Sequence, residues 1–76
     1  MDHDPSLLQF LGERCRYAAR DWTSSAELWA AYLAVCKDHG FQPVPRASFG
    51  RFLASIGGVE PHRYADARGY QGLHLL

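Results

Sequence analysis

The chain has 76 residues and no net charge at pH 7, and 47% of its residues are hydrophobic and 13% aromatic. This length suits one domain with a dense core, and the composition excludes an intrinsically disordered polypeptide. No apolar run reaches the ~18 residues of a membrane span and no secretory signal pattern is present, so we expect a cytoplasmic protein.

Charge is unevenly distributed along the chain. Residues 1–40 contain four basic and six acidic side chains, net −2, whereas residues 41–76 contain four basic and two acidic side chains, net +2. All four basic residues of the second half are arginines, whose planar guanidinium suits bidentate contacts with phosphate and guanine. The overall neutrality nevertheless argues against a strongly basic nucleic-acid-binding protein.

The first helix is predicted over residues 5–19. Asp4 is a good N-cap residue, and Pro5 fits the first helical position, where no amide donor is needed. Leu11 and Cys15 then continue an apolar stripe at helical spacing. We expect this stripe, including the cysteine thiol, to be buried.

The second helix is predicted over residues 25–39. Ser24 and Glu27 have the spacing of a capping box, and Gly40 suits the left-handed residue that commonly ends a helix. Residues 21–23, which precede it, form a short connector that is either irregular or a single bridge of strand. The stretch from residue 24 onward is therefore the best-bounded part of the chain.

The third helix is predicted over residues 45–56. It follows a proline-containing turn that starts at Gly40, and Gly57-Gly58 ends it. Its polar side chains lie off the apolar stripe and are candidate contacts to DNA bases or phosphates, with a solvated surface as the alternative. These candidates are Arg46, Ser48, Arg51 and Ser55.

A C-terminal β-hairpin is predicted, with strands at residues 59–64 and 70–76 and a loop between them. Arginine is favoured in DNA minor grooves, where the potential is strongly negative. The arginines are therefore candidate wing contacts, whereas we expect the tyrosines to lie partly in the core. The four residues concerned are Arg63, Tyr64, Arg68 and Tyr70.

The order helix, turn, helix, hairpin indicates one α+β winged helix-turn-helix domain over residues 1–76. A recurring line of residues supports it: a cysteine in the first helix, a capped Leu-x-x-x-Tyr second helix, a proline-containing turn, Phe-x-x-x-Leu, and a hairpin with arginine. The matching residues are Cys15, Leu28, Tyr32, Cys36, Gly40, Pro43, Phe49, Leu53, Gly57, Arg63, Gly69 and Leu73.

On these residues the chain resembles the C-terminal winged-helix domains of phage and plasmid primase–helicase proteins. The resemblance implies a winged-helix fold and DNA binding, not primase or helicase activity. The Walker A sequence is absent, which excludes ATP hydrolysis through that motif. We expect no enzyme activity, no cofactor and no metal site.

Two functions remain open from the sequence. The first is duplex DNA binding, with the third helix in the major groove and the hairpin as wing, in a phage or plasmid replication protein or a small regulator. The second is protein–protein interaction, including homodimerisation. In that case Trp29 and Leu33 are the candidate partner contacts, because they widen the apolar face of the second helix beyond the ~100° that a core needs.

Overall fold

The structure, a computed structural model, describes residues 4–76. Three helices are accompanied by one antiparallel sheet, in which β3 lies between β1 and β2. None of the helices in the described part of the chain is long and apolar enough to cross a membrane. The elements in chain order are α1 (Pro5–Arg14), β1 (Cys15–Ser24), α2 (Ser25–His39), α3 (Arg46–Ala54), β2 (Glu60–Tyr64) and β3 (Ala67–Leu75).

The prediction that the first helix continues to residue 19 is wrong. Helix α1 ends at Arg14, and Cys15 is already extended, with φ −123° and ψ 149°. Cys15 pairs with Leu75, and the pairing continues to Ser24 opposite Gly69. The predicted short bridge is therefore part of a ten-residue strand. The backbone hydrogen bonds of residues 15–24 are made with β3, which lies far along the chain. The helical spacing of the local sequence could not indicate this pairing.

The other elements follow the prediction more closely. Helix α2 has the predicted bounds, and α3 begins one residue later and ends two residues earlier than expected. Strand β3 begins at Ala67, three residues before its predicted start, so only Ala65 and Asp66 remain as the turn. The observed α+β architecture thus keeps all the predicted elements and adds one strand.

The helix ends use the capping residues that the sequence indicates. The Asp4 carboxylate accepts from the Ser6 amide at 2.9 Å, and the Ser24 hydroxyl accepts from the Glu27 amide at 3.1 Å. Gly40 follows α2 with φ 73°, in the left-handed region that favours glycine. These contacts fix where α1 and α2 begin and where α2 ends.

Tyr32 lies at the centre of the core and connects all three helices. Its ring stacks on Phe49 with centroids 4.8 Å apart and meets Phe10 edge-on at 5.9 Å. Its hydroxyl accepts from the Val44 amide at 2.9 Å and lies 2.7 Å from the Ser6 hydroxyl, to which it donates because Ser6 itself donates to Asp4. Burial raises the pKa of Tyr32, although these hydrogen bonds act in the opposite direction.

The two cysteines are free and lie in different surroundings. Cys36 is buried as expected, whereas Cys15 is half-buried in β1. Burial raises the pKa of the Cys15 thiol to about 11, against a smaller opposite effect of the Arg14 charge. At neutral pH this thiol is therefore protonated and a poor nucleophile.

Strand β1 contains a bulge of residues 19–21. Gln71 of β3 donates from Nε2 to the Ala19 carbonyl oxygen at 3.0 Å and holds the bulge against the sheet. Beside it, Gly72 has φ 105°, and a Cβ there would lie 2.4 Å from the carbonyl oxygen of Gly58. Only glycine fits this close approach, and a bulge of this kind bends the strand that contains it, here β1.

Candidate nucleic-acid interface

A groove of about 520 Å³ lies between α3 and the hairpin of β2 and β3. Phe49 and Tyr70 are among the residues that line it. Three arginines also line it, Arg46 from the first turn of α3 and Arg63 and Arg68 from the hairpin. The fold thus brings three of the four predicted arginines to one concave surface.

Close packing positions the hairpin beside α3. The Tyr70 hydroxyl donates to the Gly50 carbonyl oxygen across 3.4 Å, and a Cβ on Gly50 would lie 3.3 Å from that hydroxyl. On the sheet side, a Cβ on Gly69 would lie 2.4 Å from the Thr23 carbonyl oxygen of β1. Gly50 therefore allows the close approach of α3 and the hairpin, and Gly69 allows the close approach of β3 and β1.

Arg63 and Arg68 are directly opposite each other in the hairpin, and both are exposed. Like charges at opposite positions of an antiparallel pair destabilise it. Within residues 4–76, the ion pairs are His39 with Glu13 and His74 with Asp21, so neither arginine has a carboxylate partner there. An anion in the groove would relieve the repulsion between the two guanidinium groups.

Arg46 approaches the groove from the opposite side. Its Cζ lies 5.7 Å from the centroid of the Trp29 ring, a distance suited to a cation–π contact. Arg46 is the first residue of α3, and the preceding N-cap residue, Pro45, provides no side-chain cap. A free helix N-terminus favours negative charge, so this wall of the groove is electropositive from backbone and side chain together.

The remaining predicted DNA contacts on α3 do not line the groove. Arg51 is exposed and donates from Nη2 to the Ser48 hydroxyl at 3.1 Å. Ser55, just after α3, donates to the Phe52 carbonyl oxygen at 2.6 Å. The six predicted contacts therefore divide into a groove set of three arginines and a separate polar pair on the exposed face of α3, with Ser55 at its end.

The two predicted partner contacts are placed differently from each other. Trp29 is half-buried, with its ring 5.3 Å from Phe49 and 5.5 Å from Tyr32 between centroids. Leu33 is 38% exposed. Of the two residues that widen the apolar face of α2, Trp29 thus packs mainly within the domain, and Leu33 remains accessible to a partner.

The sequence did not predict an aromatic cluster on the hairpin. Tyr64 was expected to lie partly in the core, but it is 52% exposed, and its ring contacts Trp22 of β1 and His62 of β2. The sequence contains one indication of this cluster. Side chains alternate along a strand, so residues 62 and 64 lie on the same face. Trp22 joins them only once β1 is recognised as part of the sheet.

In the comparison with protein families, residues 3–71 match the model described as Poxvirus D5 protein-like. Comparison with curated proteins gives no match. The family is related to viral primase–helicases, and this agrees with the primase-associated character that the sequence resemblance implies. Because the match extends over most of the chain, the protein belongs to the poxvirus D5 protein-like family.

Proposed function

We propose that this protein is a DNA-binding winged-helix domain of a viral replication protein, in which α3 faces the major groove and the β2–β3 hairpin is the wing. The groove formed by α3 and the hairpin is the observation that carries the proposal. It concentrates three arginines, one from α3 and two from the hairpin, in a chain that has no net charge. Membership of a primase–helicase-related family supports a role in replication.

The groove suits the phosphates of a nucleic-acid backbone. Guanidinium groups bind phosphate oxygens in a bidentate manner, and such charge-assisted hydrogen bonds are among the strongest in proteins. Arg63 and Arg68 repel each other when no anion is bound, and Arg46 lies at an electropositive helix terminus. All three therefore gain from one negatively charged ligand.

The outward face of α3 offers little for reading base sequence. Arg51 is suited to a bidentate contact with guanine, and Ser48 is its neighbour. The other exposed residues of this face include Ala47 and Ala54, which have no polar side-chain atoms. We therefore expect phosphate contacts to supply most of the affinity and Arg51 to supply a modest preference for sequence.

Fluorescence anisotropy with a short labelled duplex at low salt tests this proposal. Replacing one charge-assisted contact, Arg68→Gln, should weaken binding about tenfold or more. Arg20→Gln is the matched control, because Arg20 lies in the bulge of β1, separated from β2 by β3. It removes the same charge from outside the groove and should weaken binding much less than Arg68→Gln does.

Two results would overturn the proposal. The first is the absence of duplex binding by the wild-type protein at low salt. The second is an equal loss of affinity in Arg68→Gln and Arg20→Gln, because it would show attraction to overall charge and not binding in the groove.

A further inference from the structure

We propose that the aromatic face of the hairpin, formed by Trp22, His62 and Tyr64, stacks on an unpaired nucleobase, so that the preferred ligand is a junction of duplex and single-stranded DNA. This inference rests on the proposed function and names the class of DNA that the same site takes. It comes from the arrangement of the two hairpin faces.

Tyr64 is the last residue of β2, and its ring has no stacked partner among residues 4–76. Its centroid lies 5.2 Å from that of Trp22 at an interplanar angle of 88°, and 4.5 Å from that of His62 at 68°. Both neighbours meet Tyr64 at steep angles, and the side chain is 52% exposed. Among the ring contacts of residues 4–76, neither contact to Tyr64 is parallel, which leaves it able to accept a flat partner.

The Trp22 ring of the aromatic face is held in place before any ligand binds. The Trp22 indole lies over Gly69 of β3, where an added Cβ would come within 2.5 Å of the ring. Its Nε1 donates to the His62 carbonyl oxygen at 2.9 Å, so the indole spans the sheet from β1 to β2. A ring held in this way loses little conformational freedom when a base stacks on it.

Tyr64 and the arginines lie on opposite faces of the hairpin, whereas His62 also borders the groove. Side chains alternate along a strand, so the neighbours Arg63 and Tyr64 point to opposite sides of β2. Arg68, paired with Arg63, joins it on the side that lines the groove. One DNA strand held by the arginines therefore leaves the aromatic face directed towards a different part of the DNA.

A junction engages both faces at once. The backbone of the paired region lies along the arginines, and the first unpaired base of the other strand lies against Tyr64. A continuous duplex offers the aromatic face no free base, because its bases are stacked on each other. Stacking on aromatic side chains is tolerant of base identity, which suits a surface without hydrogen-bonding readout.

The test compares three DNAs of the same sequence: a blunt duplex, that duplex with one single-stranded arm, and the single strand alone. A 2-aminopurine at the first unpaired position reports stacking through its fluorescence. The wild-type protein should bind the forked DNA between about 5-fold and 100-fold more tightly than the blunt duplex, and should quench the probe.

Tyr64→Leu and Tyr64→Phe are the paired variants. Leucine keeps apolar packing against Trp22 but has no flat ring, so Tyr64→Leu should lose the preference for the fork and the quenching. Phenylalanine keeps the ring, so Tyr64→Phe should retain both. An unchanged affinity for blunt duplex shows that each variant remains folded and that its arginine groove is intact.

Equal affinity of the wild-type protein for fork and duplex would overturn this inference and leave the proposed function standing. So would a fork preference that survives in Tyr64→Leu, or one that Tyr64→Phe loses to the same degree. Failure to bind any of the three DNAs overturns the proposed function together with the inference, and then points to a protein partner for the aromatic face.

Discussion

The region around Tyr32 and the region around Arg63 and Arg68 differ in whether their polar groups have partners within the domain. In the first, buried rings pack together, and Tyr32 has a hydrogen-bond partner on both sides of its hydroxyl. In the second, two like charges face each other on an exposed hairpin without a carboxylate partner in residues 4–76. The helical core therefore supplies the stability, and the hairpin contains a local repulsion that a bound anion would relieve.

Within residues 4–76, no buried side-chain nitrogen or oxygen lacks a hydrogen-bond partner. The buried polar groups of the helical core therefore have their hydrogen-bond partners within the domain, whereas the arginines of the groove have no carboxylate partner in this part of the chain. Changes in the core should alter the free energy of unfolding, and changes in the groove should mainly alter binding.

The largest expected effect is on the core. Leu53 is completely buried in α3, so Leu53→Ala should lower the free energy of unfolding by about 2–5 kcal/mol through lost burial and a residual cavity. Leu33→Ala is the matched control, because Leu33 is 38% exposed, and it should cost about 0.5 kcal/mol or less. Urea denaturation followed by circular dichroism measures both. Equal losses would show that α3 is not packed as described.

The second prediction concerns the hydroxyl at the centre of the core. Tyr32→Phe leaves the Val44 amide without its acceptor and the Ser6 hydroxyl without its donor, so it should cost about 1–3 kcal/mol. Tyr17→Phe removes a hydroxyl from a side chain that is 59% exposed and should change stability little. Thermal and urea unfolding of the two variants compare them directly. A neutral Tyr32→Phe variant would refute the central role of this hydroxyl.

The third prediction concerns the start of α1. Asp4→Ala removes an N-cap and should cost about 1 kcal/mol at pH 7. Hydrogen bonds from the Ser6 side chain and amide hold the pKa of Asp4 below its ordinary value of 3.8, so its carboxylate stabilises the folded state. That contribution is complete above the unfolded pKa and is lost as pH falls through the folded pKa.

Urea titrations at a series of pH values check this sign. The difference in stability between wild type and Asp4→Ala should be constant from about pH 6 to 8 and should shrink below about pH 4. A difference that grows towards low pH would mean that Asp4 does not cap α1 as a carboxylate.

The smallest expected effect has the opposite sign and lies in the hairpin. Arg68→Gln removes one of two facing charges and should stabilise the free protein by about 0.2–1 kcal/mol at low salt, with less gain at high salt. Arg20→Gln should show no such gain, because Arg20 lies outside the hairpin. Thermal unfolding at two salt concentrations distinguishes them. If Arg68→Gln destabilised the free protein, Arg63 and Arg68 would not repel each other as described.

The sequence predicted those features that have a local physical cause. Ser24 and Gly40 bound α2 because capping depends on neighbouring residues, and α3 was bounded by the proline turn and Gly57-Gly58 in the same way. Strand β1 was missed because the extended conformation of Cys15 depends on its pairing with Leu75. Long-range pairing of this kind leaves no periodic signal in a single strand.

The candidate site, like the fold, was predictable only where its residues are close together in the sequence. A hairpin over this segment already places Arg63 and Arg68 near each other. Their meeting with Arg46 depends on the tertiary contact between Tyr70 and Gly50, which composition and spacing do not reveal. The aromatic face was missed together with β1, because Trp22 reaches Tyr64 only across the sheet.

The salt dependence of duplex binding tests the central claim, that three arginines of one groove contact phosphates. Each phosphate contact contributes about −0.9 to the slope of log affinity against log salt, so the wild-type slope should be near −3. The triple variant Arg46→Gln, Arg63→Gln, Arg68→Gln should have a slope shallower by about 2.7, because it lacks all three contacts. An unchanged slope in this variant would contradict the account, because the phosphates would then be held elsewhere on the protein.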